Sequence, residues 1–140
     1  MTNLDLAQSY MVKVVDRLDV LDFLFKKEDY SDVVRESQEV VELALKGMLR
    51  TVGIEPPKIH DVGAFLLEHR DKFPSKIRIS LKKMALISKE LRKDRELSFY
   101  GEIDFIPTEE YSARDAQKAM QGARYVASIA VRLMKTFRRS

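Results

Sequence analysis

Two apolar lanes running side by side through one segment constrain this chain more than any other feature. Val33, Ser37, Val40 and Ala44 recur at steps of 4, 3 and 4, and Val41, Leu45, Met48 and Val52 repeat those steps beside them. A surface helix needs only one such stripe, so a helix apolar on two adjoining faces must be covered from both sides. Its end is equally marked. Gly53 is placed for the left-handed position after the last turn, with Ile54 as the accompanying hydrophobic contact, and Pro56 and Pro57 block continuation. Ala44 and Gly47 lie about one turn apart and would admit a close neighbour, a reason to tolerate the ~1 kcal/mol that an interior glycine costs. The spacing predicts the central helix of a bundle.

The other helices follow from the same arithmetic. Thr2 is spaced to form a capping box with Asp5. Leu4, Ala7, Met11, Val14, Leu18, Leu21 and Phe25 then predict a first helix of about 24 residues. Lys26 to Tyr30 is a polar break, after which Ser31 or Asp32 can cap the central helix. Asp61 can cap a short helix with Val62, Phe65, Leu66 and His69 inward, ended by Phe73 and Pro74. Ser75 can cap the next, whose inner lane is Ile77, Leu81, Met84, Ile87 and Leu91. Gly101 to Tyr111 reads as a loop with Pro107 and four acids, and Ser112 with Asp115 makes a second capping box. The last helix carries Ala116, Ala119, Ala123, Val126, Ala130, Leu133 and Phe137, and its alanines should meet the small-residue face of the central helix. The expectation is all-α: one domain over residues 1–140, an up-and-down bundle of four long helices and one short one.

Composition removes several functions. With no cysteine among 140 residues, disulfides and thiolate metal sites are excluded. Asp5, Lys13, Asp16 and Arg17 interrupt the N-terminal apolar pattern, which is therefore neither a signal peptide nor a membrane span, and a cytoplasmic location is expected. The net charge of +3 does not argue for nucleic acid, but its distribution is uneven. Lys76, Arg78, Lys82, Lys83, Lys89, Arg92, Lys93 and Arg95 face only Glu90 and Asp94, a local balance of +6. Such a face can follow a phosphate backbone or simply be solvated.

Two features point more narrowly. His60, with Lys58 beside it, precedes a helix N-terminus, where free N–H groups and the helix dipole favour a phosphate; capping or packing on the loop is the commoner reason for a histidine there. The inner lane of the basic helix, continued past Leu91, arrives at Arg95 and Ser98 instead of another hydrophobe. A guanidinium there needs a carboxylate, a ligand phosphate, a subunit interface or an escape to water, and Glu36, Glu39 and Glu42 are intramolecular candidates. His60 and His69 are the only histidines and have no ligand-like spacing, so no metal is expected.

Arg35-Glu36-Ser37 through Leu45-Lys46, Gly53-Ile54, Pro57-Lys58-Ile59-His60-Asp61-Val62-Gly63 and Tyr111-Ser112-Ala113-Arg114-Asp115-Ala116 together resemble the HEPN family of small prokaryotic helical proteins. The resemblance implies a homodimer, often encoded beside a minimal nucleotidyltransferase as in toxin–antitoxin pairs. It also implies either nucleotide binding or metal-independent RNA cleavage by an arginine and a histidine four to six residues later. Here Arg95 matches, but Tyr100 stands in the histidine slot, and neither His60 nor His69 has an arginine at the required distance. A phenol, which ionises near pH 10 in water, is a poor proton shuttle at neutral pH, although it can stack or hydrogen-bond. In one branch a tyrosine two residues past the histidine is modified; here Glu102 occupies that place. The reading is a non-catalytic homodimer binding a nucleotide or phosphate ligand through Arg95, Tyr100 and Arg92, with Lys58 and His60 as further candidates and no cofactor. A ribonuclease toxin with a degenerate Arg-x4-Tyr motif and a purely protein-interacting module are the alternatives.

Overall fold

The computed structural model describes residues 2–58 and 61–138, the side chains of residues 95–97 excepted. The helices are α1 (Asn3–Lys26), α2 (Tyr30–Thr51), α3 (Val62–Glu68), α4 (Ser75–Arg78), α5 (Leu81–Phe99), α6 (Pro107–Glu110) and α7 (Ala113–Arg138). Among the described residues there is no strand, only an isolated bridge between Glu102 and Phe105. The long helices α1, α2, α5 and α7 form the bundle; α4 and α6 are single turns.

Helix α2 is the axis, as its two lanes require. Its most extensive packing is against α7, α1 and α5, and Leu45, Met48 and Leu49 are fully buried. Side chains of this size contribute roughly 1.5–3 kcal/mol each on burial. The helix ends in a Schellman motif: Gly53, at φ +83°, donates its N–H to Arg50 O at 3.0 Å and Ile54 donates to Leu49 O at 2.9 Å. Both capping boxes form as the spacing dictates. Thr2 and Asp5 bond reciprocally at the start of α1, and Ser112 N donates to Asp115 Oδ2 at 2.9 Å while Asp115 N donates to Ser112 Oγ at 3.2 Å.

Several expectations are corrected. Helix α2 begins at Tyr30 behind Asp29, so Ser31 and Asp32 lie inside its first turn and do not cap it. Ser75 does not cap α4 either; Pro74 holds that place without a side-chain bond. The basic helix is not continuous from Ser75, because the chain turns at Ile79 and Ser80 before α5 begins. Gly47 faces α1, not the alanines of α7: a Cβ built there would meet Met11 Cε at 2.3 Å and Tyr10 Cβ at 3.4 Å. The glycine that admits a close helix is Gly63, whose built Cβ would lie 2.9 Å from the Cα of Ala85 on α5.

Candidate functional site

The second half of α5 gathers the residues of interest. Its buried lane continues through Leu91 to Ser98, which is only 1% exposed, and the backbone of Arg95 is helical between them. The side chain of Arg95 lies outside the described residues, as does His60 entirely. Glu36, one expected partner of Arg95, is engaged elsewhere: Arg17 Nη1 donates to its Oε1 at 2.9 Å and Arg35 Nη1 stands 3.8 Å from its Oε2. Glu42 pairs with Lys46 at 3.0 Å.

Arg92 points away from the end of the helix. Its Nη1 lies 3.8 Å from Oδ1 of Asp61, the same oxygen that accepts Ala64 N at 3.1 Å to cap α3. Lys58 is exposed. Tyr100, eight residues on from Arg92, is about 12 Å further along the helix axis. Arg92 and Tyr100 therefore belong to different localities.

At the Tyr100 end a different arginine appears. The guanidinium carbon of Arg35 on α2 lies 4.3 Å from the centroid of the Phe99 ring, and Phe99 meets Tyr100 edge-on at 4.7 Å and 83°. A continuous series thus runs Arg17, Glu36, Arg35, Phe99, Tyr100, from α1 across α2 to the tip of α5. Buried Glu36 holds the Arg35 head group beside the ring, and Tyr100 presents its phenol to solvent. A cation and exposed aromatic faces side by side suit a ligand with a flat ring and a phosphate. Arg35 and Phe99 were not among the site residues expected from sequence, because the contact joins two helices and no periodicity reports it.

Beside this stack, Lys27, Asp29, Tyr30, Asp32, Phe99 and Pro107 line a hollow of about 460 Å³. Burial pushes the Asp32 carboxyl up to about 6, with a hydrogen bond and the charge of Asp29 in the same direction and Arg35 opposing. A carboxyl raised in the folded state favours protonation of that state. The cost of ionising it is therefore present above pH 6, shrinks as pH falls through 6, and is gone below the unfolded value near 4. The shift corresponds to about 3 kcal/mol at most, and the dipole at the start of α2 returns roughly 0.3–1 kcal/mol to the anion. Solvent reaching this partly exposed carboxylate screens the remainder. Asp32→Asn is expected to stabilise the protein by about 1–2 kcal/mol above pH 7, with the gain vanishing near pH 4. Urea unfolding across that pH range checks it; a constant difference would contradict it.

A second groove, of about 370 Å³, runs between α5 and α7 over Val34, Ile87 and Gly122. Lys83 Nζ sits 4.2 Å from the Tyr125 ring at one end. At the other, burial and the Asp115 carboxylate raise Asp94, and burial with both carboxylates pushes Tyr111 up to about 12, so its phenol stays neutral. Tyr100, Arg92 and Lys58 line neither hollow. The one described histidine, His69, ends α3 with Nδ1 donating to Phe65 O at 3.0 Å. No group of three or more metal-ligating side chains occurs among the described residues, and no described helix is long and apolar enough to cross a membrane.

Comparison with curated proteins and with solved structures gives no match. The HEPN domain family, by contrast, matches residues 9–134, from the second turn of α1 to the last turns of α7. With that span covering nearly the whole bundle, the chain is a member of the HEPN family.

Proposed function

We propose that this HEPN protein is a homodimer that binds a nucleotide or another phosphate-bearing ligand without catalysing a reaction, in partnership with a minimal nucleotidyltransferase. The observation that supports it most is the Arg35–Phe99–Tyr100 stack at the end of α5, one turn beyond Arg95. Aromatic rings offer a stacking surface to any base, and an adjacent arginine attracts the phosphate. With Tyr100 in place of the motif histidine, the site has a group that can stack or hydrogen-bond and lacks the proton carrier that RNA cleavage requires.

Calorimetric titration with mononucleotides and short RNAs tests the reading. Wild type is expected to bind, and Arg95→Ala to weaken binding about 30-fold or more, the usual scale for losing a charged contact to phosphate. Phe99→Ala is expected to weaken it roughly 5- to 100-fold, the scale of one lost stacking contact. Absence of binding by wild type, or unchanged affinity in Arg95→Ala, removes the assignment. Metal-free cleavage of labelled RNA that disappears in Arg95→Ala would replace it with the ribonuclease reading.

A further inference from the structure

The hollow beside the Arg35–Phe99–Tyr100 stack carries the wrong charge for a phosphate. Glu28, Asp29 and Asp32 border it, and Lys27 is the one cation among its lining residues. Asp32 is half-buried; burial, a hydrogen bond with Asp29 and the charges of Asp29 and Glu36 oppose its ionisation, and Arg35 favours it. A phosphate placed inside would meet like charge, so it belongs outside, at Arg35 and Lys27. What the carboxylates do accept is N–H donors. The rings of Tyr30, Phe99 and Tyr111 line the same hollow and give a flat group faces to lie against. Its volume of about 460 Å³ falls within the range of small-molecule sites, about 300–1,000 Å³, and is ample for a single nucleobase.

Charge therefore decides which way round a nucleotide lies: base in, phosphate out. It also selects the base. An ionised carboxylate only accepts, so it favours a base that offers two adjacent donors. Guanine does, with N1–H beside N2–H on its pairing edge. Adenine and cytosine each set an amino donor beside a ring-nitrogen acceptor, and uracil flanks its N3–H with two carbonyls. A carboxylate facing any of these three meets an acceptor. We infer that the hollow is a guanine site, in which Asp32 accepts N1–H and N2–H of a base lying against Phe99, while Arg35 and Lys27 take the phosphate. The inference deepens the nucleotide reading and rests on it. Of the three acids, Asp32 shares α2 with Arg35, one turn before it, so a single helix carries both the group that reads the base and a group that holds the phosphate. Lys27 adds positive charge that Arg35 alone lacks, since the Arg35 charge is shared with buried Glu36.

Calorimetric titration of the full chain with GMP, IMP, AMP and XMP tests the assignment in wild type and Asp32→Asn, well above pH 6 so that Asp32 is ionised. Wild type is expected to bind GMP about 10- to 100-fold more tightly than AMP, the scale of one bidentate contact to a base. IMP, which keeps N1–H and lacks the amino group, should fall between them. In Asp32→Asn the amide presents one acceptor and one donor, which match N1–H and the 2-carbonyl of xanthine. That variant should lose the preference for GMP and bind XMP about 10-fold or more tightly than wild type does. A gain of this kind cannot come from a damaged fold. Equal affinity of wild type for GMP and AMP, or a GMP preference that survives in Asp32→Asn, would overturn the guanine assignment and leave the nucleotide site standing. Failure of every nucleotide to bind wild type would remove the nucleotide reading itself, and the guanine assignment with it.

Discussion

Gly63→Ala is expected to lower the unfolding free energy by about 2–3 kcal/mol and the melting temperature by roughly 6–12 °C, as overpacking between rigid elements does. A built Cβ would stand 2.9 Å from Ala85 Cα, 3.1 Å from its Cβ and 3.2 Å from its carbonyl oxygen. None of these atoms can rotate away, so α3 and α5 must separate. The better helix propensity of alanine, about 1 kcal/mol over glycine, offsets only part of that cost. The damage should also reach the Arg92–Asp61 pair, since Asp61 caps α3. Gly47→Ala is the control. Its built Cβ comes even closer to a neighbour, 2.3 Å, but that neighbour is the terminal methyl of Met11. A methionine has rotamers to spare, so this substitution should stay within about 1 kcal/mol of wild type. Paired thermal and urea unfolding of the two variants decides the matter; equal losses would refute the distinction between rigid and flexible neighbours.

That contrast marks what the amino-acid order makes legible. Features set by residues three or four apart were largely readable: the Thr2–Asp5 and Ser112–Asp115 boxes, the Gly53 stop, and most of the lanes that bury α1, α2 and α7, although Val34, Leu49, Ile129 and Met134 are buried beside them. Each is a local contest between backbone and side chain, won by spacing alone. Contacts across helices were not readable. Gly47 and Gly63 are equally bare in a sequence, and only the arrangement of α1 and α5 around them shows which one is needed. Arg35 and Phe99 are separated by 64 residues, and Glu36 had to be committed to Arg17 before Arg35 could be recognised as part of the site. The starts of α2 and α4 misled for a different reason. Ser31, Asp32 and Ser75 are good caps in isolation, yet helical geometry is already established one or more residues before each could act.

Gly101→Ala is expected to open the loop beyond α5 and weaken nucleotide binding about 10-fold or more, while moving the urea midpoint less than Gly63→Ala does. Two costs coincide at this residue. Its φ of +70° is left-handed, worth roughly 1–2 kcal/mol against a residue with a Cβ. A built Cβ would also lie 2.5 Å from Phe105 O and 2.5 Å from Pro107 Cδ. The first is the acceptor of Glu102 N at 2.9 Å, half of the reciprocal bridge completed by Phe105 N to Glu102 O, also at 2.9 Å. Relieving the clash therefore means breaking the bridge, and Tyr100, the residue before the glycine, loses its anchorage. The loop can do this without unfolding the bundle, which limits the loss of global stability. Hydrogen exchange should show the Glu102 and Phe105 amides losing protection while those of α2 keep theirs. Gly101→Asn separates the two costs. Asparagine tolerates positive φ but carries the same Cβ, so it should be no better than alanine if the contact with Phe105 dominates, and close to wild type if the backbone angle does. The 2.5 Å approach to a backbone carbonyl and a proline ring is too short for small adjustments to relieve, and the expected result is that asparagine fails as well.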